Sequence, residues 1–212
     1  MNTLTIGPAS LATAVLPAAF VAAQTASGPI VAFDSIDADG GLIGGMGCLG
    51  CESARRIFLD TTGGVLDAVE LRLWNPDSVQ LFSDAVRATV YDAGIQAPGD
   101  PLASATIQLT LNPDENGVVR FNLPNTPFDT NQVWLGLYTP SEDSLIWTFS
   151  FESSPAVGDM QGFGRTRDDG EGPWVGSFSV PSAQQARVLL VPAPASGMAV
   201  AVGAIAVYRR RR

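Results

Sequence analysis

The chain has 212 residues, enough for one domain of ordinary size plus appendages, and it carries 12 arginines, 21 acidic residues, no lysine and no histidine. Without histidine there is no Ser-His-Asp or Cys-His catalysis, no imidazole zinc site and no proton shuttle near neutral pH; without lysine there is no Schiff-base chemistry and no P-loop lysine. No acidic residue precedes Asp34 or follows Glu171, and Arg209 to Arg212 end the chain, so the body sets 8 arginines against 21 acids, a net −13 that repels nucleic acid and anionic lipid.

In chain order, the first element is the apolar stretch Leu11 to Ala23. It is too short to span a bilayer but suits a signal-peptide core, with small residues at Val21 and Ala23 ahead of a cut before Gln24. Met1 to Ser10 contains no basic side chain, so only the amino terminus supplies the usual positive charge. The expected organisation is a signal peptide over 1–23, a body over 24–191 and a C-terminal segment over 192–212.

Within the body, alternation of period two recurs. Strands are expected over Ile30–Phe33, Ile57–Asp60, Val69–Leu73, Val86–Val90 and Thr106–Leu111, then Val119–Leu123, Val133–Leu137, Leu145–Phe151, Val175–Val180 and Arg187–Val191. Turn residues separate them, including Asn75-Pro76-Asp77, Pro98-Gly99-Asp100-Pro101 and Asn112 to Gly117. No long helical stripe intervenes, which predicts an all-β, antiparallel two-sheet β-sandwich, jelly-roll-like, with one wet face on each sheet. Its expected core is Leu71, Leu73, Val90, Ile107, Leu109, Phe121, Leu135, Leu137 and Phe149.

Three body motifs invite chemistry. Cys48-Leu49-Gly50-Cys51 lies in a glycine-rich loop within a β pattern, with no strand–loop–helix context for redox work and no further ligands for zinc. In an oxidising compartment it reads as a local disulfide that tightens a turn. Ser35-Ile36-Asp37-Ala38-Asp39-Gly40 imitates the start of a calcium loop but has Met46 where the closing acid belongs, so it reads as a solvated acidic turn. Arg165 to Glu171 reads as a surface loop whose charges satisfy one another.

Trp74, Tyr91, Trp134 and Tyr138 fall on the polar parity of their strands. Exposed on one sheet, they would stack on sugar rings; covered by loops, they would be packing residues, and the second is preferred. Glycosidase chemistry needs two carboxylates across a cleft, and 21 acids supply pairs without marking one.

The C-terminus reads Val191-Pro192-Ala193-Pro194, an apolar run to Tyr208, then Arg209, Arg210, Arg211 and Arg212. As a helix the run from Ala195 would reach only ~21 Å against a ~30 Å hydrocarbon core. The arginines would hold its end on the cytoplasmic side. Proline pair (Pro192, Pro194), short apolar helix and arginine cluster in this order resemble the PEP-CTERM sorting signal of Gram-negative surface proteins, with Ala193 where the middle glutamate usually stands. The resemblance implies recognition by an exosortase-type processing enzyme, a short C-terminal transmembrane sorting helix, transient membrane anchoring, and delivery to the cell surface or extracellular matrix. More loosely, Val86–Asp92, Ala97–Ala103 and Val133–Tyr138, within 65–151, resemble the core of a sandwich found in exported PEP-CTERM proteins, which implies the fold and no chemistry.

The expectation is therefore an exported structural or adhesive protein of the cell surface or matrix, with no enzymatic activity, no cofactor and no bound metal. Its partners would be the processing enzyme, the membrane and a polysaccharide, not nucleic acid. The competing reading is a carbohydrate-binding module acting on exopolysaccharide through Trp74, Tyr91, Trp134 and Tyr138. A carboxylate-dependent glycoside-active enzyme ranks third.

Overall fold

The computed structural model describes residues 28–36, 45–46, 50–140, 145–151, 155–168, 170–179 and 182–191, and these fold as strands without a helix. The expected signal peptide, the 192–212 segment, Cys48, Asp37 and Asp39 lie outside the described residues, as does the side chain of Phe149.

The strands in chain order are β1 (Ile30–Asp34), β2 (Gly45–Met46), β3 (Cys51–Phe58), β4 (Gly64–Trp74), β5 (Phe82–Tyr91), β6 (Pro101–Leu111) and β7 (Asn116–Phe128). They continue with β8 (Gln132–Tyr138), β9 (Ile146–Phe151), β10 (Asp159–Asp168), β11 (Gly176–Ser179), β12 (Ser182–Gln184) and β13 (Ala186–Val191). They form two antiparallel sheets. The first has the order β1-β13-β4-β9-β12, with β7 also paired to β4 and β2 to β9; the second has the order β11-β10-β3-β8-β5-β6. Strand β13 runs beside β4 from Val65 to Leu71, and β9 takes over that edge at Leu73 and Trp74.

Alternation decides which side chains meet between the sheets. Val69, Leu71 and Leu73 of β4 face Val86, Ala88 and Val90 of β5 and Val133, Leu135 and Leu137 of β8 across one continuous hydrophobic core. The result is sandwich-like. Leu71, Leu73, Val90, Phe121 and Leu135 are fully buried, Leu109 and Leu137 are buried, and Ile107 is half-buried against the same cluster.

Beyond the short strands β2 and β12 and the continuation of β7 through Pro124 to Pro127, which reads as a turn in the sequence, two segments depart from the sequence expectation in ways that bear on the site. Strand β3 begins at Cys51, not Ile57, because its first half (Cys51-Glu52-Ser53-Ala54-Arg55) has polar residues on both faces and so no apolar alternation to read. Arg165 to Asp168 is not a surface loop but the second half of β10, paired with Cys51 to Ala54. Glycines at 162 and 164 and a register shift between Met160 and Gly164 hide the strand in the sequence.

Replacing Leu135 by Ala should cost about 3 kcal/mol of stability, because a fully buried leucine leaves both transfer energy and a cavity behind. Val118→Ala, at an exposed strand position, should stay within about 0.5 kcal/mol of the parent. Urea denaturation of both variants checks the assignment, and equal losses would contradict it.

Candidate functional site

The site is built on the outer face of the six-stranded sheet, away from the shared core. Register aligns three rows there. Arg167 (β10), Glu52 (β3), Tyr138 (β8) and Arg87 (β5) form the first, and Arg165, Ala54, Gly136 and Thr89 the second. Arg56, Trp134 and Tyr91 form the third.

Glu52 is the centre of this face. Its side chain has 0% exposure, and a carboxylate removed from water must be compensated by charge and hydrogen bonds. Arg167 supplies most of this, with Nε and Nη2 donating to Oε2 at 3.0 and 2.7 Å. Arg87 Nη2 approaches the same oxygen at 3.4 Å, and the Tyr91 hydroxyl donates to Oε1. Arg167 Nη2 also donates to the Tyr91 oxygen at 2.6 Å, closing a ring of three side chains.

Glu52 and Tyr91 sit on strands separated by β8, and they meet only because residue 136 is glycine. A Cβ there would fall 2.6 Å from Glu52 Oε1 and 2.9 Å from Tyr91 Cε2. Burial pushes the Tyr91 phenol well above its ordinary value, and the negative charge of Glu52 and the hydrogen bond to it push in the same direction.

Two segments cover this face. Trp134 Nε1, Arg56 Nη1 and Arg165 Nε donate to the consecutive carbonyls of Gly94, Ile95 and Gln96 at 3.0, 3.0 and 2.6 Å, pinning the β5–β6 connection over the third row. The second segment, 170–174, follows β10. Gly170 adopts φ +63° and its carbonyl accepts from Arg87 Nη2 at 3.1 Å; a Cβ at that position would strike Arg87 and Tyr138 at under 3 Å. Trp174 stands edge-on to Tyr91, with ring centroids 5.6 Å apart, and stacks on the Arg167 guanidinium at 4.5 Å. Between the two coverings lies a cleft of about 610 Å³, floored by β5 and β6.

Of the four aromatics singled out from the sequence, three share this face. Trp134 and Tyr91 are buried beneath the coverings and Tyr138 is half-buried against Arg87, whose guanidinium lies 4.7 Å from its ring centroid. Trp74 is on β4, in the other sheet. Arg167, placed by the sequence reading in a self-satisfied loop, instead holds Glu52 from a strand. Trp174 escaped notice altogether; its one signal is an aromatic in the loop Gly170-Glu171-Gly172-Pro173-Trp174, where packing alone does not call for one.

Cys51 is buried at the first position of β3, while its expected partner Cys48 lies outside the described residues. The Ser35 hydroxyl of the calcium-like motif is buried and donates to the Gln184 carbonyl at 2.5 Å, so it is committed to joining β1 to the β12–β13 corner. Among the described residues no group of three or more acidic or cysteine side chains is arranged to hold a metal ion. No protein-family model matches the chain, and no curated protein matches it.

Converting Glu52 to Gln keeps the shape but removes the charge that Arg87 and Arg167 face. With those arginine side chains only 30% and 15% exposed, the variant should lose about 3 kcal/mol of stability. Thermal unfolding checks this, and an unchanged melting temperature would show the cluster to be incidental.

The raised Tyr91 value has an alkaline consequence. A folded-state pKa above the unfolded 10.0 leaves the stability contribution whole below pH 10.0 and removes it as pH climbs towards the folded value, because only the unfolded chain ionises there. Tyrosinate absorbance should show one phenol that resists titration until the protein unfolds, absent in Tyr91→Phe. All phenols ionising together near pH ~10 would contradict the assignment.

Proposed function

We propose that the protein is an exported, surface- or matrix-associated module whose jelly-roll-like β-sandwich serves a structural or adhesive role and performs no catalysis. The observation that carries the non-catalytic part is the state of Glu52. It is a fully buried carboxylate beside a cleft, the place where a general acid or nucleophile is sought first. Both its oxygens are consumed by Tyr91, Arg167 and Arg87, so it acts as a strut. The other two carboxylates at the cleft, Asp100 and Glu171, are exposed on its rim, without the enclosure that tunes a glycosidase acid.

Export and anchoring rest on the two terminal segments. Supporting them, Ile30 pairs with Leu190 and Val191 with Val65, so the residues at which the leader and the sorting segment would join the body leave adjacent strands at one end of a sheet. A body attached at that end keeps both outer sheet faces free. On this reading Cys48 and Cys51 form a local disulfide in the mature protein. The segment from Pro192 to Arg212 delivers the chain to an exosortase-type enzyme and is a short transmembrane helix until it is processed.

Removing residues 192–212 should turn an envelope-retained protein into a freely secreted one. Fractionation of cells expressing the full and truncated chains reads this directly, and identical distributions would overturn the proposal.

A further inference from the structure

We infer that the cleft on the outer face of the six-stranded sheet is a binding site for an uncharged saccharide, with Trp174, Arg87, Asp100 and Ser104 as its contact residues. The inference rests on the extracellular-module reading above and assigns that module a ligand class. Its volume of about 610 Å³ falls within the ~300–1,000 Å³ range of ligand sites. Strands β5 and β6 make the floor through Arg87, Thr89 and Ser104; one wall is 98–101 and the other 170–174.

The lining discriminates among ligand classes. An anion would meet Arg87 and Arg167, but those guanidiniums already face Glu52, and the exposed rim carries Asp100 and Glu171. A cation would meet the positive charge left over where two guanidiniums share one carboxylate. A neutral polyol meets neither objection. Its hydroxyls can donate to Asp100 and accept from the part of the Arg87 guanidinium that stays open to the cleft, the side chain being 30% exposed. The half-buried Trp174 and the exposed ring of Pro101 add the apolar surface that the C–H face of a pyranose requires.

The walls are preset for such a ligand. Trp174 is held by Arg167 and Tyr91, and the 170–174 segment is tied down by Gly170 to Arg87 and by the Val175 amide to the Thr166 carbonyl at 3.1 Å. A preorganised wall lowers the ordering cost that a weak, polar ligand must overcome. The sequence-derived aromatics play a different part: Trp134 and Tyr91 brace the coverings from below, and the sugar-facing aromatic is Trp174.

The test is affinity electrophoresis of the full chain, kept soluble in a nonionic detergent without a sugar headgroup. Gels contain dextran, a β-1,3-glucan, galactomannan or arabinoxylan, with alginate as the charged comparison. At least one neutral polymer should retard the protein and alginate should not. Trp174→Ala should weaken retardation ten-fold or more. Ser104→Tyr, which fills the cleft from an exposed edge-strand position, should do the same with the melting temperature unchanged. The inference is overturned if no neutral polymer retards the chain, if alginate retards it equally, or if Ser104→Tyr binds as the parent does. Surface retention is read separately by fractionation, so a cleft that fails to bind leaves the export proposal standing on its own result.

Discussion

A carboxylate with no exposure to water sits on what would otherwise be the solvent side of a sheet, and the organisation of that face follows from it. Burying Glu52 without compensation would cost several kcal/mol, so the surroundings are arranged around its two oxygens. Strand β10 must lie beside β3 in the register that puts Arg167 opposite Glu52. Position 136 must lack a side chain so that Tyr91 can reach across β8. The chain leaving β10 must turn at Gly170 to cover Arg87 and set Trp174 on Arg167. None of these groups belongs to the core between the sheets, although Tyr91 and Trp174 pack with Ala54 and Trp134 in a small second cluster; together they join β3, β5, β8 and β10 and determine where the cleft opens.

The other outer face solves a different problem with the same residue type. There, Asp34, Arg187, Glu70, Arg120 and Asp67 form a line of alternating charge across β1, β13, β4 and β7. Each arginine bridges two acids through different nitrogens. Arg187 uses Nε for Asp34 and Nη1 for Glu70, and Arg120 uses Nη1 for Glu70 and Nη2 for Asp67. Arg187 reaches acids on two strands and Arg120 two acids of β4, each through separate nitrogens of one planar fork, a geometry that a lysine's single ammonium does not offer. The pairs are partly exposed and individually worth little energy; their effect is to fix register among strands that an acidic chain would otherwise push apart.

How much of this was legible in the sequence follows from how each segment is buried. Where one face is apolar and the other wet, as in Val69–Leu73 or Thr106–Leu111, alternation alone assigned strand and core. Where a strand carries polar groups on both faces the pattern vanishes, and β3 and β10 are such strands: Arg55 is fully buried on the inner side of β3 while Glu52 is buried on the outer side. Burial pulls the Arg55 guanidinium down to about 10, still charged at neutral pH. Glu52 and Arg167 are 115 positions apart and join only through the β3–β10 pairing, so nothing local announces either. Tyr91, Trp134 and Tyr138 could be seen to share a parity, but their coverage depends on the Gly94–Gln96 carbonyls meeting donors from three separate strands. No local rule anticipates that meeting.

The two outer faces differ in a way that composition does not show. Across the first sheet the charges pair laterally along the surface and leave a flat ladder. On the second, the charged groups are drawn beneath two loops, and the space between those loops is bounded by arginine, carboxylate, proline and indole within a few strands of one another. In a body of 8 arginines and 21 acids this concavity sets charges of both signs around one space, which on the proposed reading favours ligands that offer hydroxyls instead of charge. The ion cluster under the cleft then has a second consequence: with Glu52 shared between Arg87 and Arg167, the floor keeps one positive charge against the two negative charges of the rim, Asp100 and Glu171, and Trp174 supplies the apolar surface beside them.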